Sequence, residues 1–232
     1  MEQLDNPVWR AIRGPQRALG SSTELAARFD PEVAPFGALA EAPTDTHWGD
    51  LERLVGAGGV VALTGDNGNP PSRWTVLREM AGVQMVGDAI GAFTTAASPT
   101  ATVDPVVTLG AEDVEDMLDL VARARPGPFL SRTVEFGGYV GIRRKGRLVA
   151  MAGERLHLPG LTEISAVATD PDHRRQGLGE LLVRTVAAGI IRRDETPFLH
   201  ADASNDGAVR LYRSIGFTRR RPVTFTILQS PG

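Results

Sequence analysis

The stretch from Glu163 to Gly179 constrains the fold most, because its pattern predicts a strand, a turn and a helix start in direct succession. Asp170-Pro171-Asp172 ends the strand, since proline cannot donate to a β-ladder and aspartate favours turns. From Leu178 onwards apolar residues recur at helical spacing. Period-2 alternation predicts one strand face with Glu163, Ser165, Val167 and Thr169, and the opposite face with Ile164, Ala166 and Ala168. The chain is therefore predicted to belong to the α/β class.

The turn between this strand and this helix has the chemistry of an anion site. Gly177 and Gly179 lie where the helix begins, and helix N-termini carry unpaired N–H groups and a partial positive charge. Glycine lets a phosphate approach the backbone, and Arg174 and Arg175 add two positive charges. The spacing Arg-x-x-Gly-x-Gly lacks the lysine of a P-loop and the third glycine of a dinucleotide fingerprint. A nucleotide-binding protein is therefore a weaker hypothesis.

A second set of residues is predicted to lie on the next helix. Asn205, Ala208 and Tyr212 are spaced i, i+3 and i+7, so they share one face. Gly216 suits the left-handed residue that ends a helix, and Phe217 suits the hydrophobic contact after it. Asn205 is interpreted as a helix N-cap. Tyr212 is interpreted as a core tyrosine that covers the sheet.

Together these two patterns resemble the signatures of the GNAT (Gcn5-related) N-acetyltransferases. The first signature of that family is Arg/Gln-x-x-Gly-x-Gly/Ala, which Arg174–Gly179 matches. Its second is similar to Asn-x-x-Ala-x-x-Leu-Tyr-x-x-x-Gly-Phe, which is matched by Asn205, Ala208, Leu211, Tyr212, Gly216 and Phe217. The resemblance implies a mixed α+β sheet of the GNAT fold in the C-terminal part of the chain. It also implies acetyl-CoA as co-substrate and no metal.

The resemblance also implies roles for individual residues. Tyr212 would protonate the leaving thiolate, and a phenol suits this role because solution pKa values are about 10 for tyrosine and 8.5 for a thiol. Glu163 lies at the family's usual position for a base that acts through water, although an ordinary edge carboxylate is an equal alternative. The predicted cofactor-binding residues are Val167, Ala168, Thr169, Arg174, Arg175, Gln176, Gly177, Leu178, Gly179, Asn205 and Ala208.

These roles predict an acyl-CoA-dependent N-acyltransferase that transfers acetyl from acetyl-CoA to a primary amine by direct attack in a ternary complex. The alternative is a non-catalytic CoA-binding regulatory module with the same fold. Intact Tyr212 and Glu163 favour the enzyme, since a degenerate member would be expected to lose them. The acceptor, whether small molecule or peptide, stays open, as do the acyl-chain preference and a homodimer.

The order of predicted elements suggests where this domain begins. A strand at 106–109, a helix after it and a hairpin with a two-residue turn at Lys145-Gly146 precede the Glu163 strand, in the order that GNAT domains show. We therefore predict a GNAT domain at 106–232 and an N-terminal α/β lobe at 1–105. The lobe is either a degenerate GNAT-like half or an acceptor-side cap, and this layout is similar to the glycine N-acyltransferase-like group. Residues 91–102 are predicted to be a connector.

The composition argues against several classes of partner and of functional site. The net charge is −3, which gives no case for nucleic acid or an anionic membrane as partner. The absence of cysteine excludes disulfides, a thiol nucleophile and a cysteine-based metal site. No signal peptide or apolar run of membrane-spanning length is recognised, so a cytoplasmic protein is expected. Arg219-Arg220-Arg221 is interpreted as a solvated loop.

Overall fold

The computed structural model describes residues 1–65, 67–87 and 104–232, so the predicted connector at 91–102 lies outside the described residues. The helices are α1 (Pro7–Ile12), α2 (Asp45–Val55), α3 (Val114–Ala124), α4 (Leu178–Ile191) and α5 (Asp206–Ile215). The strands are β1 (Gly20–Ser22), β2 (Ala26–Phe29), β3 (Gly37–Leu39), β4 (Val60–Thr64), β5 (Thr75–Val86), β6 (Val106–Thr108), β7 (Val140–Arg144), β8 (Arg147–Leu158), β9 (Leu161–Thr169), β10 (Thr196–Asp202) and β11 (Thr218–Gln229).

Strands from both halves of the chain share one mixed sheet. Its order is β4-β11-β5-β10-β9-β8-β7-β6, with β10 parallel to β9 and the other neighbours antiparallel. β5 lies between β10 and β11 and pairs with β11 along its whole length. The N-terminal part thus supplies a central strand to the sheet of the C-terminal part. The predicted division at residue 105 stays a prediction.

The two faces of the sheet bury separate cores. One face carries α4 and α5, whose Leu182 and Ile215 are fully buried with Ile164 of β9. The other face carries α1 and α3 together with the small sheet β1-β2-β3, around Phe198 and Met117. Burying each such side chain contributes roughly 1.5–3 kcal/mol, so both layers hold the sheet between them.

Two predicted turns are confirmed, because each requires particular backbone dihedral angles. Lys145 and Gly146 form the β7–β8 turn with φ of 50° and 79°, as a two-residue hairpin requires. α5 ends at Gly216 with φ 119°, and its backbone N–H donates to the last turn of the helix. The interpretation of Arg219–Arg221 as a loop is wrong, because these residues belong to β11. Their pairing with β5 satisfies the backbone, and a register shift between Arg219 and Arg221 accommodates the extra residue.

The predicted alternation along β9 fails at one residue. Ala166 has φ 51°, and the register against β8 shifts between the pairs Met151–Ala168 and Gly153–Ser165. This β-bulge reverses the faces beyond it, so Ile164 and Ala168 lie in different cores although they were predicted to share a face.

Candidate active site

β9 and β10 pair only over their first halves. The parallel ladder runs from Leu161–Thr196 to Ile164–Leu199 and stops there. Beyond that point β10 continues to pair with β5, and β9 continues to pair with β8. The two strands therefore splay apart, and the β10-facing edge of residues 165–169 has no strand partner among the described residues. A ligand with amide groups can use the unpaired backbone groups of this edge.

The Arg174–Gly179 turn lies at the same end of the sheet. Gly177 is the N-cap of α4 with φ 76°, and Arg175 also adopts a left-handed backbone, with φ 60°. Left-handed residues beside a helix N-terminus aim successive N–H groups into one concavity that suits an anion. Arg174 and Arg175 are exposed. The turn thus lies at a helix N-terminus as the sequence predicted, and its use as a pyrophosphate site stays a prediction.

Side chains from α3 and β7 tether this turn. Asp170, at the end of β9, forms a buried ion pair with Arg123 of α3 and accepts from the N–H of Asp172 at 3.0 Å. Arg144 of β7 donates to Gln176 Oε1 at 2.5 Å. This bond engages the carbonyl oxygen of the exposed Gln176 side chain, and the cofactor role of Gln176 stays a prediction.

α5 presents its predicted residues towards the layer beside α4. Asn205 Oδ1 accepts from the Ala208 N–H at 3.0 Å, so the N-cap interpretation is confirmed for this oxygen. Tyr212 is buried next to Phe217, with ring centroids 6.1 Å apart. Burial raises the pKa of Tyr212 to about 12, which keeps the phenol protonated at neutral pH.

Glu163 is completely buried and fully engaged. Arg155 donates to both of its carboxylate oxygens, at 2.8 and 2.6 Å, and His200 Nδ1 lies 2.7 Å from Oε1. Burial alone would raise the pKa of Glu163, but the charge and hydrogen bonds of Arg155, with those of His200, lower it to about 2. A carboxylate with so low a pKa is a weak proton acceptor. These contacts argue against the base role that the resemblance implied for Glu163.

These groups belong to a line of side chains that crosses five neighbouring strands, here called the cross-sheet row: Arg220 (β11), Gln84 (β5), His200 (β10), Glu163 (β9) and Arg155 (β8). Arg220 donates to Gln84 Oε1 at 2.8 Å, which orients the amide. Gln84 Nε2 therefore donates to the Leu4 carbonyl and to His200 Nε2, at 2.8 and 3.0 Å. Nε2 of His200 therefore faces Gln84 and Nδ1 faces Glu163, so both ring nitrogens have a partner.

The N-terminal segment covers this row. The Arg155 guanidinium lies 4.8 Å from the Phe36 ring centroid, and Gln16 bonds to the backbone of β8. Sequence reasoning missed this row, because most of its contacts connect distant residues: His200 lies 37 positions from Glu163 and 116 from Gln84. A polar Gln84 at a buried position of a strand was the one local signal, since buried polar groups need partners.

A cavity of about 460 Å³ lies near the far end of β10. Its walls include Trp48, Glu79, Ala203, Arg219 and Thr224. None of the predicted cofactor residues lines it. The tryptophan wall comes from α2, so the N-terminal part shapes this cavity.

The fold of this chain is similar to that of known proteins. A crystal structure of a GNAT-family acetyltransferase, described as putative, from Novosphingobium aromaticivorans is 38% identical, with a TM-score of 0.85 over 99% of each chain. The chain belongs to the GNAT family. A GNAT from Kribbella flavida shares the fold at 20% identity, with a TM-score of 0.59 over 97% of this chain and 92% of that one.

Sequence comparisons support the assignment to the GNAT family over a shorter stretch. The FR47-like protein family matches residues 139–225. A mycothiol acetyltransferase of Mycobacterium avium is 39% identical over 85 residues, which is 32% of this chain and 27% of that protein. One from Acidimicrobium ferrooxidans is 32% identical over 107 residues, covering 44% and 33%. The match thus spans about a quarter to a third of the length of these relatives.

In the described part of the chain, no helix combines the length and apolar character needed to cross a bilayer.

Proposed function

We propose that this GNAT protein transfers the acetyl group of acetyl-CoA to a primary amine by direct attack in a ternary complex. The observation that carries the proposal is the coincidence, at one end of the sheet, of the β9–β10 splay with the left-handed Arg174–Gly179 turn. The turn would hold the pyrophosphate, and the unpaired edge of Val167, Ala168 and Thr169 would take the hydrogen bonds of the pantetheine arm.

The chemistry follows from these positions. A neutral amine attacks the thioester carbonyl, and the C–N bond forms as charge develops on the carbonyl oxygen. Backbone N–H groups near the bulge at Ala166 supply a preorganised site for that oxyanion. The C–S bond then breaks, and the phenol of Tyr212 donates its proton to the departing thiolate. The proton lost by the amine passes to water, and water returns one to Tyr212.

Glu163 is not proposed as the base. Its carboxylate accepts three hydrogen bonds from Arg155 and His200 and has no exposed surface. The amine would instead reach the site already neutral or lose its proton to a water molecule. The rate would then follow the pKa of the acceptor rather than that of Glu163.

The acceptor is proposed as a primary amine. Residues 1–162 carry a net charge of −5 and residues 163–232 a net charge of +2. The acidic part suits a cationic acceptor, and the basic part suits the anionic cofactor. Mycothiol acetyltransferases match this chain over 85 residues. Their acceptor is therefore one member of the panel of amines to be screened.

The first experiment is calorimetry with acetyl-CoA on the wild type and on the double variant Arg174→Ala, Gly177→Asp. Micromolar binding that the variant loses supports the cofactor site, and CoA release with a panel of amines then tests turnover. Binding without turnover of any amine would favour the non-catalytic CoA-binding module. Absence of binding by the wild type would contradict both.

A further inference from the structure

The cross-sheet row lies at the level where the pairing of β9 with β10 ends. Ile164 and Leu199 form the last backbone pair. Glu163 precedes this pair on β9, and His200 follows it on β10. The bond between Oε1 and Nδ1, 2.7 Å long, therefore spans the last rung of the ladder diagonally.

Beyond Ile164 and Leu199, no backbone pairing connects β9 with β10. His200 would face Ser165 if the ladder continued, but the register ends at Leu199. Beyond the junction β9 is bulged at Ala166, so its regular pairing with β8 is also interrupted. The side-chain bond between Glu163 and His200 is thus the next connection between the two strands at the apex of the splay.

Both partners are held rigidly from behind. Arg155 fixes Glu163 through two hydrogen bonds, and Gln84 fixes the second nitrogen of His200. The rings of Phe198 and Phe225 each lie 5.9 Å from the imidazole, edge-on. The side chain of His200 is 3% exposed and that of Glu163 is fully buried. A buried network with every member satisfied is stiff, which suits a positioning role.

We propose that Glu163 and His200 are positioning residues whose bond fixes the depth of the β9–β10 splay. They set where the backbone N–H groups after Ile164 meet the thioester, and they do not exchange protons with the substrate. This inference rests on the proposed acetyl transfer, since the splay is taken as the thioester site. Displacement of a reacting group by about 1 Å can cost roughly 100-fold in rate.

Two substitutions at residue 200 separate positioning from chemistry. His200→Asn retains an N–H donor near the place of Nδ1, whereas His200→Leu removes it. We expect His200→Leu to lower kcat by roughly 100-fold and His200→Asn to recover most of that loss. The KM for acetyl-CoA should change much less than kcat in both, because the pyrophosphate turn is untouched even where the edge that takes the pantetheine arm shifts. The shape of kcat against pH should stay that of the wild type, also in Glu163→Gln.

Hydrogen exchange provides a readout that needs no turnover. The backbone amides of residues 165–168 should exchange faster in His200→Leu than in the wild type, and near the wild-type rate in His200→Asn. Equal exchange in all three proteins would overturn the positioning role, whether or not any amine is acetylated. A Glu163→Gln variant that loses the acidic limb of the pH profile, beside a fully active His200→Leu, would assign Glu163 as the base and overturn the proposal. Failure of the proposed function alone would appear as absent turnover with the exchange pattern intact.

Discussion

The side chain of Gln16 pairs with the backbone around Arg155 as a neighbouring strand would. Its Nε2 donates to the Arg155 carbonyl at 2.6 Å, and its Oε1 accepts from the His157 N–H at 3.3 Å. The register of β8 against β9 shifts at this place, between Glu154 and His157. One buried side chain from the N-terminal part thus satisfies the main chain that a bulge leaves open.

Removal of this amide is predicted to destabilise the protein. Gln16→Ala leaves a buried carbonyl and a buried N–H without partners, which costs roughly 1–3 kcal/mol per group. Urea unfolding of the variant and the wild type measures the loss. The exposed neighbour Arg17→Ala is the control and should stay within about 0.5 kcal/mol of the wild type. An equal effect of both substitutions would argue against the pairing.

The ion pair of Asp170 with Arg123 is predicted to preform the cofactor turn. Asp170→Asn removes the charge while keeping the size, so the start of the turn should become mobile and acetyl-CoA affinity should fall about 10-fold. Calorimetry gives the affinity directly. Asp172→Asn is matched in chemistry and lies two residues away, but its side chain is exposed and it should bind acetyl-CoA as the wild type does.

The two glycines of the turn should respond differently to alanine. Gly177 has φ 76°, so an added Cβ strains the backbone by roughly 1–2 kcal/mol and should weaken acetyl-CoA binding. At Gly179 a Cβ would meet only Thr169 Oγ1, at 3.6 Å, and the family signature admits alanine there. Gly179→Ala should therefore bind acetyl-CoA nearly as the wild type. The opposite order of affinities would show that left-handed geometry is not what the site requires.

The two tyrosines of the chain form a matched pair. Tyr212→Phe should lower kcat by roughly 100- to 10,000-fold, because the proton donor to the thiolate is lost. Burial raises the pKa of Tyr139 above its usual range, and its buried hydroxyl has no hydrogen-bond partner among the described residues. Tyr139→Phe should leave kcat unchanged and be neutral or stabilising by about 1 kcal/mol. Steady-state kinetics and thermal unfolding of both variants give the comparison.

The ionisation of Glu163 should make the free energy of unfolding depend on pH in the acidic range. Its pKa is lowered from 4.5 to about 2 in the folded protein. A lowered carboxyl pKa contributes stability that is present above pH 4.5 and is lost as the pH falls towards 2, on the order of 3 kcal/mol. Unfolding free energies of the wild type should fall over this window, and those of Glu163→Gln should fall less steeply. Parallel curves would show that the carboxylate is not held as its contacts indicate.

Much of the fold was readable because local physics dictates it. Proline and aspartate end β9 in any context, glycine is needed where α5 turns left-handed, and Lys145-Gly146 matches the twist of a hairpin. Tertiary contacts decided the rest. Arg219–Arg221 looks like a solvated loop in isolation, yet pairing with β5 makes it part of a strand. The bulge at Ala166 has no sequence signal, since alanine rarely adopts a positive φ unless its surroundings impose it.

The sequence by itself determined the positions of the Arg174–Gly179 turn and of the α5 residues, because each depends on contacts within a few residues. The sequence could not determine the pKa of Glu163. The pKa of a carboxylate depends on its burial and on the groups that contact it, and here the contacts come from Arg155 on β8 and from His200, which the fold brings in from β10. Only the tertiary structure shows that Glu163, a candidate base in the sequence, is a buried carboxylate held by Arg155 and His200.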